Sequence, residues 1–156
     1  FAMLSNFIKP SQVLFGINVK NKKSLFQELS LRSNLANKSI DQKIVFDKLI
    51  KRERLGNTSI SNGIAMPSAL LEQVNETFVL FSVLSKPIDY GAGDKIPVDL
   101  VCLVVSPSSS SSKHLYVLSN FSRLLKNKNL AIRLRGCENS DALFAVLLNF
   151  NLSTAA

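Results

Sequence analysis

The segment Arg52-Glu53-Arg54-Leu55-Gly56-Asn57-Thr58-Ser59-Ile60-Ser61-Asn62-Gly63-Ile64-Ala65-Met66-Pro67-Ser68 carries the pattern in this chain best suited to chemistry. Its short side chains leave backbone amides free to approach an anion, and the arginine at its head can clamp one with two parallel hydrogen bonds. The chemistry such a combination suits is the holding of an oxyanion. Composition by itself does not select a ligand, because small polar loops are common without one. The two cysteines, Cys102 in an apolar run and Cys137 near a polar turn, make neither a disulfide framework nor a metal set. No metal and no cofactor are therefore expected, and the compartment is expected to be reducing and cytoplasmic.

The bulk of the chain must position that segment. With 156 residues, 46% hydrophobic and 19% charged, it has the material for one domain with a real core. No apolar run reaches the length of a membrane span; the longest, Pro97–Val105, is broken by Asp99. The opening Phe1-Ala2-Met3-Leu4 lacks the basic-then-apolar build of a signal peptide, and Phe1-Ala2 reads as an added dipeptide. Nineteen Lys and Arg against eleven Asp and Glu give a charge of +8, which could steer acidic partners or nucleic acid. The cations are scattered, however, and no basic-aromatic module accompanies them. Nucleic acid is the least supported partner.

Spacing predicts a helix over Lys22–Ala36, capped by Asn21, with Leu25, Phe26, Leu29 and Leu35 along one stripe. Ser39 and Gln42 have capping-box spacing ahead of a second helix, marked by Ile44, Val45 and Leu49 and ended by Gly56 as a left-handed residue. Residues 57–63 read as a loop feeding a short extended piece, Ile64–Pro67, which Pro67 should close or hold at an edge. Thr77–Leu84 and Val98–Val105 read as strands, the second buried on both faces, joined by turns over Pro87–Asp94. Beyond the serine run Ser108–Ser112, a helix over His114–Lys126 carries Leu115, Leu118, Phe121 and Leu125 on one stripe. Leu130–Arg135 adds a helical turn or two, and Ser140 caps a last helix, Asp141–Asn149, that buries Leu143, Phe144, Leu147 and Leu148. Helices, then strands, then helices predict a single-domain α/β layered fold.

Several separated motifs also resemble one family. Val45-Phe46-Asp47, Arg52-Glu53-Arg54-Leu55-Gly56 and Gly63-Ile64-Ala65-Met66-Pro67 look like the enzyme IIA component of the bacterial phosphotransferase system, mannitol/fructose type. The likeness leans towards its nitrogen-regulatory branch. It continues through Pro97-Val98-Asp99-Leu100, Lys113-His114-Leu115, Leu118-Ser119 and Arg133-Leu134-Arg135, and spans residues 4–150. The resemblance implies a mixed β-sheet flanked by helices on both faces. It implies an HPr-like phosphocarrier as a partner, and regulatory targets such as potassium-transport proteins or sensor kinases.

In that family a histidine directly after the proline accepts a phosphoryl group; here that place holds Ser68, followed by Ala69 and Leu70. The second site histidine matches His114, the chain's sole histidine, and the clamp arginine matches Arg52. The phosphate loop maps onto Thr58, Ser59 and Gly63, with Ser59 and Ser61 where the family carries glycines. A neutral imidazole is nucleophilic near pH 7 and its phosphorylated form is labile; a serine hydroxyl is weak without a neighbouring base. The expected outcome is a regulator unable to accept phosphate at the usual position, acting through protein contacts. A carrier using His114 stays open beside it, as do a Ser68–His114 hydrolytic pair, a regulatory phosphoserine at Ser68, and a purely structural His114 bonded to loop backbone at a helix start.

Overall fold

In chain order the elements are β1 (Val13–Ile17), α1 (Lys22–Ala36), α2 (Gln42–Leu55), β2 (Ser59–Ser61), β3 (Ile64–Ala65), β4 (Ser68–Leu71), β5 (Phe78–Ile88), β6 (Val98–Pro107), α3 (Ser111–Leu125), α4 (Lys128–Arg135) and α5 (Ser140–Ala155). This computed structural model describes residues 6–155, and side chains as far as residue 150. The expected boundary at residue 4 and the opening Phe1-Ala2-Met3-Leu4 lie outside the described residues. No helix among the described residues is long and apolar enough to cross a membrane.

The six strands form one mixed sheet in the order β1-β5-β6-β3-β2, with β4 also paired to β6. β5 runs antiparallel to β6, whereas β1 lies parallel to β5, and β3 and β4 lie parallel to β6. β6 is the apolar run the sequence marks, and it is buried on both faces. Its odd residues Val101, Leu103 and Val105 enter one core with Leu25, Phe26 and Leu29 of α1 and Val45 and Leu49 of α2. Its even residues Leu100, Cys102 and Val104 enter a second core with Val117, Phe121, Leu130, Leu134, Leu143 and Leu147 of α3, α4 and α5. The period-2 alternation of a strand thus builds a helical layer on each face. At its start the amides of Asp99 and Leu100 both donate to the Gly63 carbonyl, at 3.0 and 3.1 Å. That bulge inverts the alternation and turns Val98 into the first core.

Several local expectations give way to tertiary context. β3 closes ahead of Pro67, as expected, but the chain resumes beyond it as β4 and keeps one register against β6, Ile64 opposite Leu100 and Ser68 opposite Val104. Proline forfeits one donor, but its carbonyl still accepts from Val104 at 3.1 Å. β5 runs on through Ile88, into the region read as turns, because Ile88 pairs Val98. Asp41, not Ser39, caps α2, its carboxylate accepting from the Ile44 amide at 2.9 Å. Gly56 is extended, with φ 169°, so no left-handed residue ends α2. Asn139, not Ser140, caps α5 by accepting from the Ala142 amide at 2.8 Å. α3 begins at Ser111, inside the serine run, and its buried stripe is His114, Val117, Phe121 and Leu125, while Leu115 is exposed. Leu35 is likewise exposed.

Three strands, β1, β2 and β4, have no counterpart in the sequence reading. β1 buries only its ends, Val13 and Ile17, with Gly16 at φ +74°, so it shows no alternation to read. β2 pairs antiparallel with β3 across Asn62-Gly63, both at positive φ (53° and 80°). Asn-Gly is the commonest signature of a two-residue hairpin and was the available signal. Ser61 precedes that turn at φ +142°, backbone territory that favours glycine. Replacing Ser61 by glycine should raise stability by about 1 kcal/mol. Gly63→Ala should lower it by about 2 kcal/mol, because the new Cβ would meet Arg135 Nη2 and the Pro97 carbonyl at 2.9 Å. Urea unfolding of both variants checks the opposite signs.

Candidate functional site

α2 delivers Arg52 at its C-terminal end, β4 delivers Ser68 at its start, and α3 delivers His114 in its first turn. All three line one open groove of about 720 Å³, together with Thr58 and Ser59. Strand parity explains the convergence. Ile64 and Met66 face the α3 layer, and Ser68, two residues on, points the same way. On β6, Ser106 shares the face of Cys102 and Val104, and its Oγ lies 2.6 Å from His114 Nδ1. Ser106 Oγ in turn meets Thr77 Oγ1 at 3.2 Å. His114 therefore bonds a strand hydroxyl and not loop backbone. Its Nδ1 is engaged by Ser106 and not by Ser68, and Nε2 has no protein partner among the described residues. No hydrogen bond joins Ser68 to His114 in this structure.

Burial is the larger cause that holds the His114 pKa below its ordinary value, and the Arg52 guanidinium across the groove adds to it. The ring is neutral at pH 7. Arg52 itself is exposed, and its Nη1 donates to the Gly56 carbonyl at 3.0 Å. Lys48 and Lys51 line the same groove, and no carboxylate does.

The loop amides do not form the expected anion cradle. The Thr58 amide donates to Glu53 at 3.0 Å and the Ser59 amide to Asn57 Oδ1 at 2.8 Å. The Thr58 hydroxyl lies 2.5 Å from Glu53 Oε1 and 2.7 Å from the Tyr90 hydroxyl. Gly63 sits apart from the groove, at the hairpin turn beside Asp99 and Arg135. What the sequence reading missed is the support: Glu53, nearly buried, also accepts from Lys22 Nζ at 3.0 Å, and Lys22 lies 4.3 Å from the Tyr90 ring centroid. Burial and the Glu53 carboxylate push the Tyr90 hydroxyl far above its ordinary value, so it stays protonated. No local motif signals that network, since its members lie on four separate segments. Asn57 closes it, donating to the Tyr90 and Gly91 carbonyls at 2.9 and 3.0 Å. Among the described residues no cluster of His, Cys, Asp and Glu could hold a metal.

A mixed sheet thus lies between two helical layers, and an arginine and a histidine border one groove beside β4. Residues 6–150 match the family model for the phosphoenolpyruvate-dependent sugar phosphotransferase system, EIIA 2, and the chain belongs to that family. It is 33% identical to a nitrogen regulatory protein of Bradyrhizobium diazoefficiens, covering 92% of this chain and 94% of that one. It is 30% identical to a nitrogen regulatory protein homolog of Haemophilus influenzae, covering 92% and 89%. The fold superposes on nitrogen regulatory protein IIA-Ntr of Neisseria meningitidis with a TM-score of 0.84 at 26% identity, covering 92% of this chain and 98% of that one. It also matches enzyme IIA of the mannitol system from Escherichia coli, solved with phosphorylated enzyme IIB, with a TM-score of 0.76 over 91% and 97% of the chains. At 17% identity that likeness concerns the fold.

Glu53→Gln should cost roughly 2–3 kcal/mol, because it removes the charge paired with Lys22 and leaves one oxygen where two now accept from Lys22, the Thr58 amide and the two hydroxyls; thermal unfolding reads it. For His114, the unfolded ring takes up its proton near ~6.5 and the folded ring only at lower pH. Between those values the unfolded state binds more protons, so stability falls as pH falls through that window. The lone imidazole should titrate by NMR with a depressed midpoint that rises in Arg52→Ala. An unmoved midpoint in that variant would contradict the coupling.

Proposed function

We propose that this chain is a regulatory IIA-like protein of the phosphotransferase system that does not accept phosphate at the family's usual position and works through contacts with other proteins. The observation that carries this reading is Ser68. By motif order it stands where the family's phosphoaccepting histidine belongs, and its hydroxyl has no hydrogen-bonded base. The rest of the site supports a kept binding surface, since Arg52 and His114 still border the groove with Ser68. Cytoplasmic partners of two kinds fit the reading: an HPr-like phosphocarrier surface, and regulatory targets such as potassium-transport proteins or sensor kinases. The nitrogen regulatory names of its relatives favour the second kind.

One observation favours a second reading, in which His114 carries the phosphoryl group. Its ring is neutral at pH 7 and its Nε2 is unpartnered. Incubation with phosphoenolpyruvate, enzyme I and an HPr-type carrier separates the two by intact mass. The expected result is an unmodified wild-type chain and a Ser68→His variant that gains one acid-labile phosphoryl group. A wild-type chain that gains such a group and passes it on would overturn the regulatory reading. Loss of that gain in His114→Gln would assign it to His114.

A further inference from the structure

Charge is spread unevenly over the two helical layers. Residues 20–55, which form α1, α2 and their flanks, hold ten of the nineteen Lys and Arg and four of the eleven Asp and Glu, and so six of the eight net positive charges. Along the chain these cations look scattered; the fold gathers part of them. A crevice runs between α1 and α2 as two openings, of about 680 and 480 Å³, that meet at Phe46. At the larger one α1 begins and α2 ends, and Lys22, Lys23, Lys51 and Arg54 rim it around the half-buried Phe46 and Ile50. Lys22 is spent on Glu53. The ion pairs among the described residues are that one, Arg32–Glu28 and Arg135–Asp99, so Lys23, Lys51 and Arg54 are unpaired. Asp47 is the one carboxylate at this opening outside the Glu53 network. At the smaller opening α1 presents the uncharged Gln27, Ser30 and Asn34. Leu31 and Leu35 continue from Gln27 at helical i,i+4 spacing and stand 38% and 58% exposed.

We propose that the α1–α2 crevice docks an amphipathic helix of a partner protein, with its acidic residues at the α2 C-terminal end and its apolar face over Phe46, Ile50 and the Leu31–Leu35 row. Two helices side by side present the kind of groove into which a third helix packs. With 15 and 14 residues, α1 and α2 offer about 20 Å of it, close to four turns. Charge complementarity selects an acidic partner. Lys51 and Arg54, three residues apart, stand on one side of α2, and Lys23 faces them from α1. Three unpaired cations against one free carboxylate repel one another until an anionic group enters between them. Length selects a helix over a small anion, because Lys23 and Leu35 lie about 18 Å apart along α1 and a small ligand covers one end only. Nucleic acid suits the crevice less well, since the smaller opening sets only Lys43 against Asp41. The crevice lies across α2 from the groove of Ser68 and His114 and shares only Lys51 with it. The inference rests on the contact reading above for the existence of a partner, and on nothing at Ser68.

The probe is a side-chain-stapled helical peptide of about 14 residues, leucines on one face and glutamates at one end, because an unconstrained helix of that length is marginal in water. Three controls accompany it: the same peptide with glutamine for glutamate, a scrambled sequence of equal charge, and a DNA oligonucleotide. Backbone amide NMR shifts are followed in the full chain. The acidic helix should shift amides of α1 and α2 saturably, and its affinity should fall as salt rises. The Lys23→Glu/Arg54→Glu double variant should weaken it about tenfold, and Leu35→Ser severalfold. Lys128→Glu, an equal reversal on α4, should leave it within about twofold. The glutamine and scrambled peptides should bind at least tenfold more weakly. A flat titration, shifts confined to α3 and β4, or indifference to the double variant would overturn the docking site. Equal binding of the glutamine peptide would overturn its acidic specificity, and equal binding of the scrambled one its helical fit. Tighter binding of the oligonucleotide, lost in the double variant, would assign the crevice to nucleic acid instead. A wild-type chain that passes phosphate on in the transfer assay removes the contact reading and leaves this affinity standing; a flat titration here removes the crevice and leaves that reading.

Discussion

Strand β6 is hydrogen-bonded on both edges and buried on both faces, and that double constraint organises the rest of the molecule. A central strand with apolar residues at nearly every position must be covered twice, so the chain places α1 and α2 on one side and α3, α4 and α5 on the other. The same strand aligns the site. Ser68 is set opposite Val104 by backbone pairing, and Ser106, two residues further, turns to the face where α3 presents His114. A one-residue slip of β4 against β6 would move Ser68 to the other face and dissolve the groove.

The second requirement is electrostatic. Glu53 carries its charge into a nearly enclosed place and is made tolerable there by Lys22, by the Thr58 amide and hydroxyl, and by Tyr90. This arrangement uses the loop's polar groups to hold the loop. It explains why the amides of Thr58 and Ser59 do not wait for a ligand, although their composition suits one. The donors left for an anion come from three regular elements, α2, β4 and α3, which position side chains more firmly than a loop does.

On the proposed reading, a hydroxyl where the family holds an imidazole separates two properties that a carrier needs together. Binding of an oxyanion requires donors and positive charge, which Arg52, His114 and their lysine neighbours retain. Transfer requires a nucleophilic atom whose phosphorylated form is labile, which a serine without a base does not provide. A scaffold can lose the second and keep the first, because the two reside in different side chains. Ser61, in the loop beside the site, holds a glycine-like φ of +142° with a side chain attached.

The layered α/β class, the helices over 22–36 and 42–55, the two central strands and the family itself follow from the residues, because apolar periodicity and motif order are local properties of a chain. Arg52, Ser68 and His114 are legible for the same reason, each standing in a motif. Their meeting in one groove is not, since it depends on the β4–β6 register and on the parity that turns Ser68 and Ser106 to one face. Nor are Glu53, Tyr90 and Lys22, which come together across 31 to 37 residues of chain and show nothing unusual in place. The caps at Asp41 and Asn139, the extended Gly56 and the removal of Gly63 to the hairpin turn were decided by tertiary packing. It selects among backbone states that differ locally by about 1 kcal/mol. Residue types determined which chemistry was possible; the sheet determined which atoms were left free to perform it.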